Sequence, residues 1–101
     1  MMTFSEAKAR LGKLFPGNDE SALQYALEAL NEGVRRMRDR HEISEERWFQ
    51  IGNSFKVVGS YIKWLEKQQS RGYSLGSLAE DFSMDSPLFD RFLKETGVDL
   101  Y

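Results

Sequence analysis

Between Ile43 and Gln69 the apolar residues recur at alternating steps of three and four: Trp48, Ile51, Phe55, Val58, Ile62 and Leu65. That spacing returns side chains to one face of an α-helix, so the stretch predicts an unbroken apolar seam over roughly five turns. Gly52 and Gly59 lie beside the seam, seven residues apart, where they would admit a close neighbouring helix. Val57, Tyr61 and Trp64 fall on nearly the opposite side, with Asn53, Lys56, Ser60 and Lys63 along one flank. A helix with two apolar faces is either sandwiched between other parts of its own chain or docked on another molecule. No other stretch is as long, as aromatic or as regular. The chain is therefore expected to be all-α, with this helix at its centre.

The remaining segments fit that frame. A first helix opens at Thr3-Phe4-Ser5-Glu6, which has the form of a capping box, and Phe4, Ala7, Leu11 and Leu14 make its apolar face. Pro16-Gly17 stops it, and Phe15 is expected to tuck into the core. A second helix starts at Asn18 or Asp19, with Asp19 and Glu20 near the positive end of its dipole. Leu23, Ala26, Leu27, Leu30, Val34 and Met37 form its stripe, and Ala26, Leu30 and Gly33 make it the natural partner of the long helix. It should run antiparallel to that helix through the short Glu42-Ile43 connection. Ser44 is the expected cap of the third helix, with Ile43 and Trp48 as a hydrophobic staple, and Gly72 its C-terminal stop.

Two short helices follow. Ser74 or Ser77 caps the first, Ser77-Leu78-Ala79-Glu80 having the form of a second capping box, and Leu75, Leu78 and Phe82 face inward. Asp85-Ser86-Pro87 opens the last helix with proline in its favoured first position. Leu88, Phe89, Phe92 and Leu93 are its apolar residues, Gly97 its end, and Val98 the contact that accompanies a glycine cap. The expected fold is a small single-domain bundle over 1–101 of about five helices, closed by a short C-terminal two-helix corner. A chain of 101 residues fits one domain and buries about two-thirds of its unfolded surface.

Composition narrows the functional classes. Hydrophobic residues make up 41% of the chain and aromatic residues 13%, which belongs to a folded globule. Net charge is −2, whereas a dedicated nucleic-acid binder is usually basic overall. With no cysteine there is neither a disulfide nor thiolate chemistry, which fits a reducing, cytoplasmic setting. Met1 to Phe15 carries Glu6, Lys8, Arg10 and Lys13 and no apolar stretch, so no signal peptide is expected. No run approaches a membrane span. There is no Ser–His–Asp arrangement, and Gly72-Tyr73-Ser74-Leu75-Gly76 is too short, and wrongly placed between helices, for a phosphate loop. Neither an enzyme nor a cofactor is expected. His41 with Glu42, Glu45 and Glu46 is a poor metal set, since one histidine and mobile carboxylates fit no preferred geometry.

Two kinds of site remain. The first is a protein-binding surface on the rear of the long helix: Tyr61, Trp64 and Tyr73, flanked by Lys63, Lys67 and Arg71. Tyrosine and tryptophan combine large apolar area with a polar tip and are favoured at interfaces. This points to an adaptor or inhibitor acting on a macromolecular partner. The competing reading is that the first helix or the C-terminal pair covers the patch. The second kind of site is DNA reading through the corner. Ala79, Phe82, Ser83, Met84, Phe89 and Phe92 match helix-turn-helix spacing, which wants a small residue at the crossing and apolar residues that lock it. Ser86, Arg91 and Lys94 would then face the groove, although Asp85 and Asp90 would repel phosphate. Arg35, Arg36, Arg38 and Arg40 could grip phosphates too, or could complement the dipole of their own helix. Homo-oligomerisation through either face of the long helix is compatible with both.

Overall fold

The computed structural model describes residues 2–39 and 54–97, excepting the side chains of 37–39, 54 and 55. Among the described residues the elements are five helices and no strand: α1 (Phe4–Leu14), α2 (Glu20–Asp39), α3 (Ser54–Ser70), α4 (Leu78–Asp81) and α5 (Pro87–Thr96). The expected all-α bundle with a long α3 and a short C-terminal pair is what forms. The readings that rest on Trp48, Ile51, Phe55, Gly52, Met37, His41, Val98 and the Ile43–Trp48 staple lie outside the described residues.

The helix ends follow local chemistry. Thr3 Oγ1 accepts from the Glu6 amide at 3.1 Å and caps α1. The return half of the box is altered, because the Glu6 carboxylate takes the Thr3 hydroxyl instead of its amide. Asp19 Oδ1 accepts from the Ala22 amide at 2.8 Å and caps α2. Asn18 Nδ2 donates to the Phe15 carbonyl, which closes the Pro16-Gly17 turn. Ser77 and Ser86 cap α4 and α5, and Pro87 stands in the first turn of α5. Each such cap is worth about 1 kcal/mol.

α1, α2 and α3 pack on one another, and α4–α5 lies across the other side of α3. Ala7, Leu11, Leu27, Val34, Val58, Ile62 and Leu65 are fully enclosed. Val58, Ile62 and Leu65 belong to the expected seam, and Val57, on the rear face, is also buried. Phe15 is buried as expected. Arg10 of α1 grips Glu66 of α3 with two donors, Nε to Oε2 at 2.9 Å and a second bond from its terminal nitrogen to Oε1. That carboxylate raises the Arg10 pKa.

Two glycines report close approaches. Gly33, midway along α2, faces the Met84 side chain from the α4–α5 turn, and a Cβ there would overlap the Met84 sulfur. The corner therefore leans on α2 at the residue whose missing side chain makes room. Gly59 sits under Met2, not under α2 as its spacing suggested; a Cβ would lie 3.5 Å from the Met2 Cβ.

Candidate interaction surface

Tyr61 is the hub of the rear face of α3, and it has no exposed surface. Its ring stacks with Phe82 at 5.6 Å between centroids, meets Phe89 edge-on at 5.0 Å, and touches Phe92 at 5.1 Å and Trp64 at 6.0 Å. Pairs of this kind add about 0.5–1.5 kcal/mol beyond the area they bury. The Tyr61 hydroxyl donates to the Asp81 carbonyl at 2.6 Å, so the polar tip is satisfied at the end of α4. Burial pushes the phenol pKa well above its ordinary value, and the nearby Ser86 hydroxyl opposes that shift without cancelling it.

This geometry decides between the two readings of the rear patch. Phe82, Phe89 and Phe92 of the C-terminal pair cover Tyr61 and Trp64, and Val57 is buried as well, so all three are core, and neither Tyr61 nor Trp64 offers its ring to a partner in this structure. An apolar periodicity identifies a face, but it cannot tell which element lies over that face.

The surface begins at the edge of that cluster. Trp64 is 7% exposed, and its indole N–H donates to Glu95 Oε2 at 2.9 Å. Glu95 Oε1 also accepts from Arg91 at 3.1 Å. Arg91, paired with Glu95 on α5, sits over two rings, 5.5 Å from Trp64 and 6.0 Å from Tyr73. Arg91, then the Trp64 indole, then the field of Arg71 hold the Glu95 carboxyl below its usual range. Glu95 was not among the expected site residues. Its i,i+4 pairing with Arg91 is legible in the sequence, but its bond to Trp64 depends on how α5 crosses α3.

Tyr73 is placed by the end of α3. Gly72 adopts φ 94°, the left-handed region that favours glycine. Its amide donates to the Gln69 carbonyl, and the Tyr73 amide donates to the Gln68 carbonyl, both at 3.0 Å. This is the Schellman arrangement, and it fixes the backbone that carries the Tyr73 ring. Tyr73 remains 43% exposed. Lys63 and Lys67 of α3 and Arg71 just after it are exposed. Of the expected protein-binding group, four residues are thus on the surface and two form the packing beneath it.

The expected DNA-reading residues are arranged differently. Ser86 is buried, and its hydroxyl is engaged as the α5 cap with the Leu88 amide. Lys94 pairs with Asp90 at 2.8 Å, and Arg91 with Glu95. Every described cation of α5 thus already faces a carboxylate one turn away. Ala79, which the helix-turn-helix spacing requires at the helix crossing, is exposed, and α4 is a single turn. Leu78 and Phe82 close the corner instead. Arg35 and Arg36 are exposed, each 3.8 Å from Glu32. The side chain of Arg38 and all of Arg40 lie outside the described residues.

A depression of about 330 Å³ on α2 is lined by Tyr25, Glu28, Ala29, Glu32 and Arg36. Its guanidinium and one carboxylate already pair, and the Glu28 carboxylate accepts from Gln24, so its polar groups do not converge on one point. Among the described residues no group of three or more His, Cys, Asp or Glu is placed to hold a metal ion. No described helix is long and apolar enough to cross a membrane. Neither a family model, nor a curated protein, nor a solved structure matches this chain.

Proposed function

We propose that this chain is a small non-enzymatic interaction module, an adaptor or inhibitor that works by binding a protein partner. The observation that carries this reading is the state of Tyr73. It is an exposed aromatic on a backbone held by a glycine cap, with Arg91 against its ring and the exposed cations Arg71, Lys67 and Lys63 preceding it along the chain. Aromatic and arginine side chains with restricted freedom are favoured anchors, because little side-chain entropy is lost when they are covered. Tyr61 and Trp64 support the surface from below. The absence of cysteine suits a cytoplasmic setting.

DNA reading through α5 has less support, because its cations are already paired and Ser86 is enclosed. A gel shift at low salt should accordingly show no complex. The test of the main reading is capture from a nuclease-treated lysate by wild type and by the double variant Tyr73→Ala, Arg71→Ala. The expected result is a partner retained by wild type and lost by the variant, with unchanged circular dichroism and melting temperature. Equal capture by both would overturn the placement of the surface. Light scattering on the same samples reports whether the partner is a second copy.

A further inference from the structure

We infer, building on the interaction reading above, that the partner docks an acidic helix along α3, with carboxylates spaced to meet Lys63, Lys67 and Arg71. At about 100° per residue, Lys56, Ser60, Lys63, Lys67 and Ser70 fall within an arc of roughly 80°. All five are exposed. The carboxylate that α3 carries in its described length, Glu66, is turned aside to Arg10. Among the described residues neither Lys63 nor Lys67 has a carboxylate within ion-pair reach, whereas Lys8, Arg10, Arg91 and Lys94 all do. Among the described residues, the stretch of the α3 solvent face that carries Lys63 and Lys67 is therefore of one sign.

Spacing and charge select the occupant. Lys63, Lys67 and Arg71 are four residues apart, or about 6 Å per step along the axis. Glutamates at i, i+4 and i+8 of a second helix repeat at the same interval. Tyr73, just beyond Arg71, provides an apolar contact at the end of the row. Single-stranded nucleic acid has a similar charge interval, but it continues past the row. The chain carries a net −2 even with these cations counted, and −5 without Lys63, Lys67 and Arg71, so the molecule as a whole disfavours a long polyanion. A short acidic helix ends where the row ends.

The experiment uses two fluorescein-labelled synthetic helical peptides of identical composition. One has glutamates at i, i+4 and i+8 on one face, and the other has them spread around the helix. A 20-nucleotide single-stranded DNA is the third probe. Fluorescence anisotropy should show the patterned peptide binding about tenfold more tightly than the spread one, a difference of about 1.4 kcal/mol. Lys63→Glu with Lys67→Glu should remove that binding, and Lys13→Glu on α1 should leave it unchanged. DNA binding as tight as that of the patterned peptide would overturn the inference in favour of a nucleic-acid surface. So would equal binding of the two peptides, no binding of either, or indifference to charge reversal. If the peptides fail while lysate capture still depends on Tyr73, the interaction module stands and only the acidic-helix partner falls.

Discussion

Tyr61 and Asp81 are joined by one short hydrogen bond, in which the phenol hydroxyl donates to the backbone carbonyl at 2.6 Å. Asp81 ends a helix of one turn, and a helix that short does not hold itself together in water. The bond and the rings around it make α4 an extension of the packing on α3. Tyr61→Phe should therefore cost about 1 kcal/mol, the net value of a hydrogen bond whose acceptor is part-buried. Tyr61→Ala should cost about 3–5 kcal/mol, the range for deleting a large buried aromatic. Urea unfolding measures both. The second loss is a large part of the stability of a domain this size, which is typically about 5–15 kcal/mol.

The same burial sets an alkaline limit. The phenol has a raised pKa in the folded state, so between its unfolded and folded values the unfolded chain binds fewer protons than the native one. The Tyr61 contribution is complete below the unfolded-state value, about 10, and is lost as pH rises above it. Stability of wild type should fall from that pH upward, and Tyr61→Phe should show a shallower decline. Identical alkaline slopes would remove Tyr61 as the cause.

Glu95 has the opposite sign. Its carboxyl pKa is lowered, chiefly by Arg91 and then by the Trp64 indole N–H. Its contribution is present above the unfolded-state value, about 4.3, and disappears as pH falls through the lower folded value. In a Trp48→Phe background the emission of Trp64 should shift over that acid window, at pH values where circular dichroism is still native. Glu95→Gln, which keeps an acceptor for the indole but has no charge to lose, should abolish the shift.

Much of the architecture is legible in the residues. Val58, Ile62 and Leu65 identify the core face of α3, and Thr3, Ser77, Pro87 and Gly97 mark helix ends, because periodicity and capping are local properties. The fate of Tyr61 and Trp64 is not legible in the same way. Their spacing says that they share a face, and only the crossing of α5 over α3 says what covers it. Ala79 shows the same limit. The spacing around it suits a helix-turn-helix crossing, yet the four residues of α4 turn Leu78 inward and leave Ala79 in solvent. The surface at Tyr73 is half legible: Gly72 announces the cap, while the approach of Arg91 depends on tertiary packing.

Gly33 and Met84 make a prediction in which helix propensity and packing oppose each other. Alanine in place of an interior helical glycine gains about 1 kcal/mol where nothing is in the way. Here the new Cβ would meet the Met84 sulfur, and that half-buried side chain would have to move. Gly33→Ala alone should therefore gain less than the propensity value. In a Met84→Ala background the same substitution should gain more, with a coupling of about 0.5–1 kcal/mol. Additive free energies in the double-mutant cycle would mean that the corner does not lean on α2.

Gly72 links the end of α3 to the proposed surface. Alanine there must adopt φ 94°, which disfavours side chains, so Gly72→Ala should destabilise the domain by about 1 kcal/mol. The relief of strain would shift the Tyr73 backbone and draw its ring away from Arg91. Tyr73→Ala, by contrast, removes a half-exposed ring and should change stability by less than about 0.5 kcal/mol. If Tyr73 acts as an anchor, both variants should weaken partner capture, and Gly72→Asn should restore part of it, since asparagine tolerates the left-handed conformation better than alanine. Full capture by Gly72→Ala would show that the glycine cap holds the fold and does not position the surface.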